Sequence, residues 1–306
     1  MTQIERSSAV QLGLSQLLQS RYLNLGPQLK RHRAMASRSG QRISNIRGRG
    51  MEFDEARHYQ AGDDIRSIDW RVTARTGKAH TKLFREEREQ PVIILLDINP
   101  SMIFGSQHCL KSIVASELAA YLGWAAIGLG ERVAVVINQG QQHVSLASHA
   151  ARQAQWLQLL QQIVDCHQQQ LDQFHKSEAP SNLSPALEQL NLIAKTGYQI
   201  HLISDFYHLQ VQDIPLLQRL SRRNQVMAWQ ITDPFESQIE NEQTTRLQIE
   251  GAKGLSSLWP SKRFFRSQYQ HLAEQRQSRI EETFANSSIV FDTISTAKDW
   301  HENNGI

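Results

Sequence analysis

One short stretch, residues 91–104 (PVIILLDINPSMIF), constrains the fold more than any other part of the chain. An apolar run at residues 92–96 stops abruptly at Asp97, and Asn99 and Ser101 follow at once. A run this short, rich in β-branched residues and ended by polar ones, is typical of a strand buried on both faces of a sheet. The carboxylate, amide and hydroxyl at its end are hard oxygen ligands, which suit Mg²⁺ or Mn²⁺ better than zinc.

Composition places the chain among ordinary globular proteins. Its 306 residues are 40% hydrophobic and 21% charged, and the net charge of +3 is too small to indicate nucleic-acid binding. Cys109 and Cys166 have no metal or CxxC spacing, so we expect free thiols in a reducing compartment. The most apolar segment, residues 118–129, is too short to span a bilayer. These features predict a cytoplasmic protein without a membrane span.

From residue 91 onward, apolar strands alternate with helices. This alternation predicts βαβ units and an α/β, doubly wound, mostly parallel sheet flanked by helices, within a domain at residues 91–306. The predicted strands are 92–97, 132–138, 199–204, 225–231, a less regular one near 245–250, and 289–294. The predicted helices are 107–128, 150–170, 184–195, 210–222 and 264–285.

Residues 1–90 are predicted to form a separate N-terminal module. An amphipathic helix is expected near residues 10–22, where apolar residues recur at helical spacing. Residues 30–49 contain seven basic residues and no acidic one, which is typical of a solvated loop or of a segment that meets an anionic partner. A β-hairpin is expected from strands at 68–73 and 80–84, joined across 76–78.

Opposite charges are interleaved along the second half of this module. Two interpretations remain open: exposed ion pairs, which contribute little to stability, or a polar network that faces a neighbour. The charged residues are Glu55, Arg57, Asp63, Asp64, Arg66, Asp69, Arg71 and Arg75.

Further oxygen ligands follow later strands. In a doubly wound sheet, ligands bind beyond the carboxyl ends of the strands, at the point where the strand order reverses. Ser204 and Asp205 follow the strand at 199–204, and Ser181 and Ser184 flank the start of a predicted helix. Taken singly, either serine would be interpreted as a helix N-cap and Asp205 as the first residue of a loop.

The combination resembles the metal-ion-dependent adhesion site of a von Willebrand factor A domain. DINPSM is similar to the motif DxSxS, PSNLSPAL to GGTNIGxAL, and LISDF to LITDG. The resemblance implies a von Willebrand factor A-like fold and a divalent site with an open position for a partner's carboxylate. Asn99 stands where the motif has serine, and a site without metal is the alternative. The implied Mg²⁺ or Mn²⁺ ligands are Asp97, Asn99, Ser101, Ser181 and Asp205.

The upstream stretch resembles the domain-of-unknown-function-58 family, and with the A-like domain the resemblance covers residues 40–295. It implies an adaptor for a MoxR-type AAA+ ATPase in protein assembly or remodelling, with other von Willebrand factor A proteins as further partners. The signature residues are Arg57, Tyr59, Gly62, Asp63, Asp64, Arg66, Asp69, Trp70 and Arg75.

Three functional hypotheses follow. The first is a non-enzymatic interaction module with a divalent metal site. The second is a metal-dependent hydrolase or nuclease that uses Asp63, Asp64 and Asp69. The third is a structural scaffold without metal. The sequence contains no HExxH, GxSxG or P-loop pattern, and arginines lie beside the three aspartates. We therefore predict the non-enzymatic module, with the charged cluster as an architectural or partner-facing network and nucleic acid not among the partners.

Overall fold

The structure is a computed structural model that describes residues 8–23, 51–60, 63–86, 90–140, 143–173, 182–237, 247–251, 254–258 and 263–300. The helices are α1 (Leu14–Gln19), α2 (Trp70–Thr76), α3 (Lys111–Gly128), α4 (Gln153–Gln173), α5 (Ser184–Ile193), α6 (Ile214–Arg223), α7 (Pro234–Ser237) and α8 (Arg263–Asn286). The strands are β1 (Met51–His58), β2 (His80–Glu86), β3 (Val92–Asp97), β4 (Val133–Asn138), β5 (His143–Ala150), β6 (Gln199–Ser204), β7 (Gln225–Thr232), β8 (Leu247–Gly251), β9 (Gly254–Leu258) and β10 (Val290–Ser295).

The chain divides into two compact units, Met1–Arg31 with Gln90–Ile306, and His32–Glu89. The prediction placed all of residues 1–90 in one module, and the structure differs at the beginning of the chain. Leu17 of α1 is buried in the core of the larger unit. Glu117 of α3 accepts hydrogen bonds from Gln16 Nε2 at 2.5 Å and from Trp300 Nε1 at 2.9 Å. Residues that precede the first strand of the larger unit in the chain, and residues that follow its last strand, therefore pack in this unit.

The larger unit is built on a six-stranded sheet with the order β10-β7-β6-β3-β4-β5. Five strands are parallel, and β5 pairs antiparallel with β4 at one edge. The predicted α/β, doubly wound, mostly parallel sheet flanked by helices is confirmed. The predicted strands at 92–97 and 199–204 coincide with β3 and β6. The sequence analysis missed β5, and it also missed β9, which pairs antiparallel with β8.

Burial of β3 on both faces explains its continuous apolar sequence. Ile94 and Leu96 lie in one core cluster, which also contains residues of α1, α3 and α4. Ile93 and Leu95 lie in a second cluster with residues of α5, α6 and α8. Because successive side chains of a strand point to opposite faces, helices cover the sheet on both sides. The cores hold the strands in register and fix where their carboxyl ends meet.

The smaller unit corrects the predicted hairpin. Residues 68–73 do not form a strand there, and β2 instead pairs antiparallel with β1. Asp69 is the N-cap of α2, because its Oδ1 accepts hydrogen bonds from the backbone N–H groups of Arg71 and Val72. Gly77 ends the helix with a φ of +71°, which favours glycine. The residues expected to form a basic loop, 30–49, lie outside the described residues.

Candidate site at the carboxyl edge of the sheet

The carboxyl ends of β3 and β6 meet at the point where the strand order reverses. The chain passes from β3 to β4 on one side and returns to β6 on the other side of β3. Such a switch point leaves a crevice beyond the strands, where ligands of doubly wound proteins bind. Asp97 ends β3, and Asp205 follows β6 directly. The topology therefore brings the two predicted aspartates to the same place.

Asp97 is buried and surrounded by hydrogen-bond donors. Its Oδ1 accepts from the Asn99 backbone N–H at 3.1 Å and from Asn138 Nδ2 at 3.0 Å. Its Oδ2 accepts from Asn99 Nδ2 at 2.9 Å and from Ser204 Oγ at 2.6 Å. Burial, with a smaller effect from the charge of Asp205, raises the pKa of Asp97 to about 7. Both carboxylate oxygens are thus fully engaged by the chain.

Asn99 has a structural reason to stand where the adhesion motif has serine. Its Nδ2 donates to Asp97, while its Oδ1 accepts from the Ser101 backbone N–H at 2.7 Å. Ser101 Oγ also lies 2.7 Å from the same Oδ1. The side chain is completely buried. The amide nitrogen donates to Asp97 while the amide oxygen accepts from Ser101, so the longer side chain of Asn99 bridges these two residues.

Asp205 is buried and bound on both carboxylate oxygens. Its Oδ2 lies 2.6 Å from Ser101 Oγ and 2.8 Å from Lys111 Nζ, and its Oδ1 accepts from the Tyr207 backbone N–H at 3.0 Å. Burial acts to raise the pKa of Asp205, but the charge and hydrogen bond of Lys111, with further hydrogen bonds, outweigh burial and lower it. The carboxylate is therefore held in its ionised form.

Lys111 is a site residue that the sequence analysis missed. It begins α3, its side chain is 0% exposed, and its Nζ pairs with Asp205 and, at 2.6 Å, with Glu236 Oε1. Burial acts to lower the pKa of Lys111, but the two carboxylates outweigh it and raise the pKa. One signal was available, because Lys111 and Glu117 are the only charged residues in the otherwise apolar or small-residue sequence of α3. A buried lysine requires a partner.

Tyr207 contacts the same network, and two cationic side chains lie over its ring. Lys111 Nζ is 4.7 Å from the centroid of its ring, and Arg276 Cζ is 3.9 Å from it. The phenol donates a hydrogen bond to Glu236 Oε2 at 2.9 Å. Burial, followed by the negative charge of Glu236, raises the pKa of Tyr207. The ring of Tyr207 and the carboxylate of Glu236 thus form the part of the network that lies next to α7.

Phe206 adopts a left-handed backbone conformation next to the site. Its φ is +58°, at the position where the adhesion motif has glycine. Its side chain is buried, with its ring centroid 4.7 Å from that of Phe284. A non-glycine residue in this conformation costs on the order of 1 kcal/mol or more. Aromatic packing offsets this backbone strain.

Of the five predicted metal ligands, the structure brings together Asp97, Asn99, Ser101 and Asp205, while Ser181 lies outside the described residues. Whether they fit a divalent ion depends on free oxygen atoms. Every carboxylate oxygen of this set accepts at least one hydrogen bond, and Asp205 Oδ2 contacts an ammonium. In the described part of the chain, no three His, Cys, Asp or Glu residues form a group that could hold a metal. In this arrangement the residues do not fit a divalent ion.

The three aspartates of the hydrolase hypothesis have structural partners in the smaller unit. Asp63 Oδ1 accepts from Arg57 at 2.7 Å, and its Oδ2 accepts from the Gln60 backbone N–H at 3.0 Å. The hydrogen bond from Gln60, followed by the effects of Arg57, lowers the pKa of Asp63. Asp64 accepts from the Arg66 backbone N–H at 2.9 Å, and Asp69 caps α2.

The other signature residues are placed as follows. Tyr59 donates its backbone N–H to Ala79 at 2.9 Å. Trp70 is 68% exposed, and Arg66 and Arg75 are exposed as well. Gly62 lies outside the described residues. The signature therefore combines groups that shape the unit with groups that face solvent.

The fold and this network define an α/β protein with a doubly wound, mostly parallel sheet and a buried ion pair at the carboxyl edge of that sheet. The chain matches the family described as "Protein of unknown function DUF58" over residues 55–279, more than half of its length, and it belongs to that family. In the part of the chain that the structure describes, no helix is both long and apolar enough to cross a bilayer.

The chain also resembles individual proteins. It is 25% identical over 261 residues to the uncharacterized protein Mb1516 of Mycobacterium bovis, a match that covers 85% of this chain and 80% of the relative. It is 26% identical over 159 residues to the uncharacterized protein YeaD of Bacillus subtilis, covering 50% of this chain and 35% of the relative.

Two solved structures from Bacteroides are similar at low sequence identity. An aerotolerance-related membrane protein from Bacteroides fragilis has a TM-score of 0.45 and 11% identity, with 70% of this chain and 94% of that chain covered. BatB from Bacteroides thetaiotaomicron has a TM-score of 0.39 and 12% identity, with 65% and 98% covered.

Proposed function

We propose that the protein is a non-enzymatic interaction module that works with a MoxR-type AAA+ ATPase in protein assembly or remodelling. One observation carries the proposal: the smaller unit exposes two large apolar side chains close together in sequence. Trp70 is 68% exposed and Ile65 is 65% exposed. Exposed apolar patches mark interaction sites, and tryptophan and arginine are enriched among the residues that contribute most to interface binding energy.

The charges around these two residues indicate the chemistry of the partner. Arg66 is exposed beside Ile65 in a 3₁₀ turn at Ile65–Ser67, which follows Asp64, and Arg71 and Arg75 are exposed on α2 with Trp70. We name the five residues the Trp70 surface. Exposed apolar side chains with exposed arginines next to them in sequence suit an acidic protein surface that offers an apolar pocket. The family resemblance supports a MoxR-type ATPase as that partner.

The arrangement of the aspartates supports an interaction role over hydrolysis. Metal-assisted hydrolysis requires clustered carboxylates with oxygens free to hold an ion and to position a water. Here Asp64 and Asp69 cap helices, and Asp63 pairs with Arg57. Those roles shape the segment that presents Trp70. The cytoplasmic location expected from the sequence is part of the same proposal.

Binding of the ATPase tests the proposal. Isothermal titration should show saturable binding by the unmodified chain and a loss of at least tenfold in affinity for Trp70→Ala, as expected for an interface hot spot. Leu192→Ala is the matched control, because Leu192 is 80% exposed on α5 of the larger unit. No binding by the unmodified chain, or equal affinities for the two variants, would contradict the proposal.

A further inference from the structure

The ammonium of Lys111 occupies the centre of the carboxyl edge. It lies 2.8 Å from Asp205 Oδ2 and 2.6 Å from Glu236 Oε1, and it is shielded completely from solvent. Ser101 Oγ, which the adhesion motif assigns to the metal, lies 2.6 Å from the same Asp205 oxygen. A positive charge contributed by the chain itself thus stands among the residues expected to hold Mg²⁺ or Mn²⁺.

We propose that Lys111 takes the place of the divalent cation at this edge and that Glu236 takes the place of the partner's carboxylate. The site is then closed by the chain's own charges and binds neither Mg²⁺ nor Mn²⁺. This inference is independent of the proposed function, which rests on the Trp70 surface of the smaller unit.

Electrostatics supports the substitution of an ammonium for a metal. The two carboxylates that contact Lys111 already hold a cation between them, and an added divalent ion on Asp205 Oδ2 would lie a few ångströms from the ammonium and be repelled. Mg²⁺ also requires near-ideal octahedral geometry at about 2.0–2.1 Å from its oxygens. The oxygens of Asp97 face four donors from Asn99, Asn138 and Ser204 instead.

Glu236 is positioned to act as the internal carboxylate. It lies on the one-turn helix α7, and its side chain is 14% exposed, compared with 0% for Lys111 and Asp205. Its Oε2 accepts hydrogen bonds from Tyr207 Oη at 2.9 Å and from the Asp233 backbone N–H at 3.1 Å. Glu236 is therefore the outermost member of the network and covers the cation as a ligand would.

The decisive experiment is a Mn²⁺ titration by calorimetry of the unmodified protein and of Lys111→Met. The unmodified protein should give no saturable heat at millimolar Mn²⁺. Lys111→Met leaves the carboxylates of Asp205 and Glu236 without their cation. This variant should bind one Mn²⁺ with an affinity at least tenfold higher than any affinity that the unmodified protein shows. Lys195→Met is the control: it removes the same charge from an exposed position just before the amino end of β6.

Two outcomes would overturn the inference. One is saturable binding of Mn²⁺ by the unmodified protein that disappears in Asp97→Ala. The other is a folded Lys111→Met protein that binds no more Mn²⁺ than the Lys195→Met control. Nuclear magnetic resonance of the unmodified protein tests the claim without any variant. The side-chain ammonium signal of Lys111 should remain sharp as Mn²⁺ is added, and paramagnetic broadening at stoichiometric Mn²⁺ would contradict it.

Discussion

The Nζ atom of Lys111 lies 2.8 Å from Oδ2 of Asp205, although the two residues are 94 positions apart and neither side chain reaches solvent. A buried ion pair is weak evidence for stability, because desolvation of both charges costs about as much as their attraction returns. Removal of one partner is a different matter, since the other charge then remains buried without compensation. The asymmetry makes this pair a sensitive point in the larger unit.

Lys111→Met should lower the free energy of unfolding by about 3–5 kcal/mol, the usual loss when one member of a buried pair is removed. Urea unfolding at pH 7 without divalent ions measures it. Lys195→Met, at an exposed position, should change the free energy by less than about 0.5 kcal/mol. A loss for Lys111→Met no larger than that of the control would show that the pair is not formed in solution.

The raised pKa of Asp97 predicts a pH dependence of stability. The folded protein holds this proton up to a pH of about 7, whereas the unfolded chain releases it near the ordinary aspartate pKa of 3.8. Between these values the native state binds more protons, so the contribution of Asp97 to stability falls as the pH rises from about 4 to about 7. Carboxyl ¹³C shifts should give a midpoint near 7 for Asp97.

Asp97→Asn supplies the control for that pH dependence. Its unfolding free energy, measured in urea at several pH values, should lack the decline between pH 4 and 7 that Asp97 contributes. Asp205 acts in the opposite direction, because its pKa is lowered and its contribution is lost only as the pH falls toward the folded pKa. A carboxyl shift of Asp97 that titrates near 4 would show that burial does not control this group.

The backbone of Phe206 predicts an inversion of the usual order of two substitutions. Phe206→Ala and Phe206→Gly both remove the ring that packs on Phe284, so comparing them cancels the loss of aromatic contacts. At a φ of +58° glycine is unstrained and alanine is not. Phe206→Gly should therefore be more stable than Phe206→Ala by about 1 kcal/mol in urea unfolding. The opposite order would mean that the left-handed conformation is not populated.

The three arginines of the Trp70 surface predict salt-dependent association with the ATPase. Arg71→Glu should slow the association rate several-fold and weaken its dependence on ionic strength, since rim charges act mainly on the encounter. Stopped-flow or biosensor kinetics at several salt concentrations would measure both quantities. Arg222→Glu, an exposed reversal on α6 of the larger unit, is the control and should leave the rate unchanged. Equal slowing in both variants would indicate a general effect of net charge.

The sequence was sufficient for features that depend on local pattern. Two-faced burial explains why β3 and β6 could be predicted to the residue, and the topology of parallel strands explains why Asp97 and Asp205 could be expected to meet. The strand predicted at residues 68–73 was wrong, because the cap of Asp69 and the left-handed Gly77 favour a helix at Trp70–Thr76.

Features that depend on contacts between residues far apart in sequence could not be predicted from local patterns. Lys111 acquires its role only because Asp205 and Glu236, 94 and 125 positions away, arrive at its ammonium. The bridging role of Asn99 involves partners only two residues away, but it depends on how its amide is oriented between Asp97 and Ser101. Motif similarity singled out residues that the structure brings together at one edge of the sheet, but the position of the Lys111 charge among them could be seen only in three dimensions.

The carboxylate of Glu117 connects segments that are distant in sequence. It is buried in α3 and accepts hydrogen bonds from Gln16 and Trp300. A fragment that retained the sheet but lacked either segment would keep the buried side chain of Glu117 with one donor removed, a loss of about 1–3 kcal/mol. Proteolytic loss of the segment with Gln16 or the segment with Trp300 should therefore destabilise α3 around Glu117. Segments outside the strands thus contribute to the stability of this unit.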